Sequence, residues 1–219
     1  MSQPSLSVPV DAAANDPAPD ATMLRAVTAS ALQTSPFEHI YMQNVFSPVF
    51  YERLLALIPA RERFHDLRHK DAMRADGSSA RRRMYLYPEH LWRLPAEQRA
   101  LWSSISRVLR SRDMQDAFKL KFRQSLETRF GRSIDQIDLY PIPILVCDLP
   151  GYQIGIHADV MAKAITVQFY LPKDASQRHI GTVFHYGRTG PEAEKTIAMD
   201  FMPASGYAFA VMERESWHS

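Results

Sequence analysis

A mixed α+β domain is what this sequence predicts, with a helical front and a β-rich final third. Between residues 47 and 131 apolar side chains recur at three- and four-residue spacing, as on the core-facing stripe of a helix. After Gly131 the texture changes to short runs of β-branched and aromatic residues, bounded by Pro and Gly, whose side chains alternate between two faces. The length of 219 residues suits one sizeable core plus a tail.

Several classes are excluded. A formal net charge of +2, with an ordinary 23% of charged residues, gives no electrostatic case for nucleic acid. Cys147 is the single cysteine, so an intrachain disulfide and the Cys-rich zinc modules are ruled out. No run approaches the roughly 18 to 20 apolar residues that span a bilayer. The first twenty residues lack the basic and apolar regions of a secretory leader. These features predict a cytoplasmic protein with neither a nucleic-acid nor a membrane partner.

Taken in order, residues 1–22 are rich in Pro, Ala, Ser and Asp and are expected to form a disordered tail, leaving 23–219 as a single domain. Residues 23–33 suggest a short helix and 37–45 (FEHIYMQNV) a short strand. Ser47 and Pro48 then read as the N-cap and first position of a helix carrying Phe50, Leu54, Leu57 and Ile58, closed by Pro59. Residues 61–83 are polar and mostly basic, running through the turn at Asp76 and Gly77 to Arg81, Arg82 and Arg83 and the strand-like 84–87. This stretch reads either as a solvated loop or as a set of cations for an anionic substrate. His65 and His69, four apart, would share a face if the segment were helical. Leu94 and Pro95 open a helix with Leu101, Ile105, Val108 and Leu109. Met114, Phe118, Phe122, Leu126 and Phe130 mark another, with Asp113 as N-cap and Gly131 just past its end. Pro141 and Pro143 confine 137–147 to an edge or irregular strand.

The chemistry concentrates in the last third. Residues 152–159 (YQIGIHAD) read as a strand, on which Gln153, Gly155, His157 and Asp159 share one face. Glycine at 155 leaves room beside its neighbours for a ligand or another backbone. In 164–171 (AITVQFYL), Ile165, Val167, Phe169 and Leu171 form an apolar face suited to packing on the helices. Thr166, Gln168 and Tyr170 form a polar face suited to lining a cavity. Short strands follow at 181–184, 197–202 and 207–212, before the closing Glu215, Ser216, Trp217 and His218. Two imidazoles and a carboxylate, His157, Asp159 and His218, are the donor set of non-heme Fe(II) oxygenases, in which one face of the ion stays open.

The order HAD, TVQFYLP, GTVF, a Pro-Ala-Ser-Gly turn before an aromatic strand, and SWH resembles the Fe(II)- and 2-oxoglutarate-dependent dioxygenase superfamily. That resemblance covers about residues 137–219 and implies a double-stranded β-helix, a jelly-roll of the cupin-like kind, buttressed by the helices of about 47–131. It implies that His157, Asp159 and His218 hold Fe(II), with the open positions taken by 2-oxoglutarate and O₂. Tyr170 matches a position that hydrogen-bonds the distal carboxylate of 2-oxoglutarate, and Thr166 and Gln168 lie on the same face. The activity implied is hydroxylation of a small-molecule or biosynthetic substrate with release of succinate and CO₂. Asp159 speaks against halogenation, because related halogenases carry a small residue there. Trp217 and the segment from 81 to 83 are candidate substrate contacts.

Family members also carry an arginine about ten residues beyond the distal histidine, whose fork suits a carboxylate. The sequence at hand ends one residue after His218. The expectation is that this is a fragment lacking its last strand; Lys163, Lys173 and Arg188 are the alternative cations. Two other readings stay open: a cupin-type metal enzyme that does not use 2-oxoglutarate, and an inactive jelly-roll that serves as a binding module.

Overall fold

The computed structural model describes residues 19–219. The expected tail lies outside the described residues up to position 18. Its last four residues are helical instead, because they open α1 (Pro19–Ala29), which buries Met23, Ala26 and Val27 at helical spacing. Next come β1 (His39–Met42) and α2 (Pro48–Ala56). Ser47 caps α2 as expected, its hydroxyl accepting from the Phe50 amide at 3.2 Å. A loop holds the two-residue β2 (His65–Asp66) and leads to β3 (Arg81–Tyr85) and the short α3 (Pro88–Leu91).

Three further helices build the front. In α4 (Ala96–Leu109) the buried stripe is Leu101, Trp102, Ile105 and Val108. The stripe from Met114 to Phe130 belongs to two helices, α5 (Arg112–Lys121) and α6 (Arg123–Phe130), because Phe122 between them leaves helical geometry at φ −108°, ψ 27°. Ser111, rather than Asp113, is the N-cap of α5. Its extended backbone lets the hydroxyl accept from the Met114 amide, while Asp113 lies within the first turn. Gly131 ends α6 in the left-handed region at φ 61°.

The remaining strands are β4 (Ile144–Asp148), β5 (Ile165–Tyr170), β6 (Val183–His185), β7 (Thr196–Ala198), preceded by the short α7 (Pro191–Glu194), and β8 (Ser205–Ala210). They form small antiparallel sheets ordered β1-β8-β5, β2-β3-β4 and β6-β7, none of them closed into a barrel among the described residues. The last two strands differ from their expected limits, β7 ending at Ala198 and β8 beginning at Ser205. Residues 152–159 are not a ladder strand. Their only bridge pairs His157 with His218, because the available partner is the short stretch 217–219.

The sheet β1-β8-β5 divides the interior. One face carries Ile40, Met42, Ala208, Ala210, Ile165, Val167 and Phe169, which pack with the helices in the main core. The other face carries His39, Tyr41, Tyr207, Phe209, Thr166, Gln168 and Tyr170 in register. It meets Phe184 of β6, whose ring lies 5.4 Å from that of Tyr207 and 5.5 Å from that of Phe209. The alternation read in 164–171 therefore separates a helix-packing face from a face turned toward the histidines.

Candidate metal centre

On this second side three peptide segments are stitched together. His157 and His218 exchange both backbone hydrogen bonds at 2.9 Å, Ser219 and Val183 do the same, and the His185 amide donates to the Trp217 carbonyl. The tail 217–219 is thus threaded between His157 and β6. This brings together residues 61 positions apart and lays the His218 ring 4.9 Å from Phe209 and 4.2 Å from the ring of His157.

The potential donor atoms of His157, Asp159 and His218 lie within 4.8 Å of one another, the only group among the described residues so placed that it could hold a metal ion. Each imidazole is oriented by its own chain. Nδ1 of His157 lies 3.0 Å from the Gly155 carbonyl, and Nδ1 of His218 lies 3.0 Å from the Ser216 carbonyl. A carbonyl can only accept, so each Nδ1 bears a proton, and in the neutral imidazole it is then Nε2 that offers the lone pair. Ser216 is fully buried, its hydroxyl bonded to the backbone of Met212, which steadies the carbonyl that holds His218.

Asp159 has both oxygens engaged. Oδ2 accepts from the Thr166 hydroxyl at 2.5 Å, and Oδ1 lies 2.5 Å from the Lys163 ammonium. Burial pushes its carboxyl up, but Lys163, Thr166 and the nearby His218 together outweigh burial and hold it below the usual carboxylate range. For His218, burial lowers the imidazole; the bond to Ser216 opposes this, and the neighbouring His157 adds to the lowering. Both effects favour the deprotonated forms that metals bind.

The polar face of β5 continues the network away from the triad. Tyr207 donates to Gln168 Oε1 at 3.0 Å and shares a hydrogen bond with the Thr182 hydroxyl, and Thr182 donates its amide to the Tyr170 oxygen at 2.8 Å. Tyr170 is buried at 1% exposure, and its phenol is pushed up to about 12 by that burial. Thr166 touches Asp159 directly, and Gln168 and Tyr170 connect through Tyr207 and Thr182.

The other candidates fall elsewhere. Arg81 makes a fork with Asp148 at 2.5 and 2.8 Å and stacks on Tyr152; Arg82 pairs with Asp66, and Arg83 lies over Tyr85. Arg188 stacks over Trp217 at 5.7 Å and Lys173 is exposed, so Lys163 is the candidate cation that touches the triad. His65 pairs in β2 with Arg83 while His69 accepts from the Asp71 amide, so no helix face unites them. His185 lies beside the tail in space but has both nitrogens committed, to Ala193 and Ser219.

One positioning residue escaped the sequence reading. Arg129, in the last turn of α6, donates to the carbonyls of Lys163 at 2.6 Å, Val211 at 2.7 Å and Met161. It ties the loop after Asp159 to the end of β8. Only its place near a helix C-terminus was visible in the sequence, and that place is equally suited to a solvated cation.

Comparison of the chain with protein-family models, with curated proteins and with solved structures finds no match.

Proposed function

We propose that the chain is a non-heme Fe(II)- and 2-oxoglutarate-dependent oxygenase that hydroxylates a small-molecule substrate, built on a double-stranded β-helix. The observation that carries this reading is the pair of carbonyl-tethered imidazoles, each with a bare Nε2, beside an ionised Asp159. Two layers of short antiparallel strands that meet through Phe184, Tyr207 and Phe209 support the β-helix.

The donor set fits Fe(II). His157, Asp159 and His218 would hold the ion by two nitrogens and one oxygen, a facial set that leaves positions for 2-oxoglutarate and O₂. Held there, iron and 2-oxoglutarate would let O₂ serve as the oxidant, one of its oxygen atoms going into succinate as 2-oxoglutarate loses CO₂ and the other into the substrate's new hydroxyl.

The protein supplies placement. Gly155 and Ser216 aim the imidazoles, and Thr166 aims Asp159. The Gln168 amide nitrogen has no protein acceptor among the described residues, since Oε1 takes the Tyr207 proton, so its two N–H groups are available to a ligand oxygen. Phe209 covers one side of His218 and keeps water from it. No helix among the described residues is long and apolar enough to cross a membrane, and the unpaired Cys147 suits a reducing cytoplasm.

The test is succinate release from 2-oxoglutarate by the protein supplied with Fe(II) and ascorbate. We expect turnover that EDTA stops and that His157→Ala lowers by at least about a hundredfold. Tight His157-dependent metal binding without 2-oxoglutarate affinity would replace this reading with a cupin-type metal enzyme, and no metal uptake would replace it with a binding module.

A further inference from the structure

We infer that Lys163 is a tethered cation that competes with the metal ion for Asp159, so that an entering ion must displace its ammonium from Oδ1. The inference rests on the metal reading above and adds a control on loading to it.

Three observations carry it. The first is the contact, with Lys163 Nζ 2.5 Å from Asp159 Oδ1, on a carboxylate whose other oxygen is held by Thr166. Neither oxygen is idle, and an ion that binds His157 and His218 must take its third donor from this carboxylate. An ammonium and a divalent cation sharing one carboxylate stand close enough to repel strongly, and the low water content around a side chain only 9% exposed leaves that repulsion poorly screened.

The second observation decides which partner yields. Asp159 cannot turn away without losing Thr166, whereas the Lys163 side chain is 50% exposed and has four methylenes on which to swing into water. The third is that the loop backbone is held on several sides. The Lys163 amide donates to Val160 at 3.0 Å, its carbonyl accepts from Arg129 at 2.6 Å, and the next carbonyl, of Ala164, accepts from Val211 at 2.9 Å. Displacement is therefore a rotamer change on a fixed backbone. Until then the ammonium keeps Asp159 ionised and aimed, at a cost in metal affinity.

Calorimetric titration of Co(II) or Mn(II) into the protein at one pH and ionic strength tests this. Lys163→Met should tighten binding by roughly tenfold, and Lys163→Arg, which keeps the cation, should stay within about threefold of the wild type. Lys163→Gln is the second neutral variant, used if the Met variant's circular dichroism departs from the wild type. Binding by the neutral variant that is no tighter than wild type, while wild-type binding still depends on His157, overturns the inference and leaves the metal reading standing. Absence of His157-dependent binding in both proteins overturns both.

Discussion

Asp159 answers to two neighbours of opposite effect. The Thr166 hydroxyl fixes one oxygen without bringing charge, so it orients the carboxylate at no Coulombic cost to a cation. Removing such a supporting hydrogen bond typically weakens metal binding ten- to a hundredfold. Thr166→Val, which keeps the shape of the side chain, should therefore weaken Co(II) binding by about that factor, the opposite direction to Lys163→Met, in the same calorimetric assay. A common direction for the two variants would show that the carboxylate's partners do not act as described. His157, Asp159 and His218 were legible in the sequence as residue types in a suggestive order. Their tautomers were not, because Nδ1 of each histidine is fixed by the carbonyl two residues before it, a relation that depends on backbone dihedrals.

The packing of β6 against the turn after β7 depends on one glycine. Gly181 has ordinary extended geometry at φ −69°, so its need for glycine is a matter of contact and not of conformation. A Cβ there would stand 1.8 Å from the Met199 carbonyl oxygen and 2.9 Å from the carbon behind it. Backbone must move to admit it, and overpacking of this kind costs about 1–3 kcal/mol or more. Gly181→Ala should lower the urea midpoint accordingly and also weaken metal binding, since β6 carries the Phe184 bridge to His218. Gly155→Ala is the contrast: nothing lies within 4 Å of its added Cβ, and a change within about 0.5 kcal/mol is expected. Read from sequence, Gly155 was the glycine of interest; the close approach is at Gly181. Helix limits were more legible. Ser47, Pro95 and Gly131 punctuate the chain as their chemistry dictates, but one continuous stripe concealed the break at Phe122, because side-chain spacing is nearly unchanged when a helix pauses for one residue.

For the molecule as a whole, two buried imidazoles link stability to pH. His39 is 2% exposed, packed against Phe184 with Nδ1 on the Phe37 carbonyl. Burial lowers its imidazole below the ordinary 6.5, with the Phe37 bond opposing. His218 is lowered as well. The unfolded chain thus takes up protons near pH 6.5 that the fold still refuses, so this stability is fully present above 6.5 and is lost as pH falls below it toward the folded values. In EDTA, urea midpoints should fall on acidification through that window. His39→Phe should flatten the slope even though it leaves the Phe37 carbonyl without its donor and lowers stability at neutral pH. An unchanged slope would mean that His39 does not stay neutral in the fold.

The amino-acid order alone determined the mixed α+β class and the two faces of β5, because these rest on side-chain periodicity carried within a few positions, and it offered His157, Asp159 and His218 as residue types that could hold a metal. Only tertiary structure decided how the donors are served. Lys163 and Thr166 reach Asp159 across a turn, Arg129 crosses from α6 to pin that turn, and residues 217–219 are threaded between His157 and β6. The Arg129 contacts and the pairing of 217–219 join segments distant in the chain, and all of these contacts depend on how the backbone is folded and packed and not on side-chain periodicity.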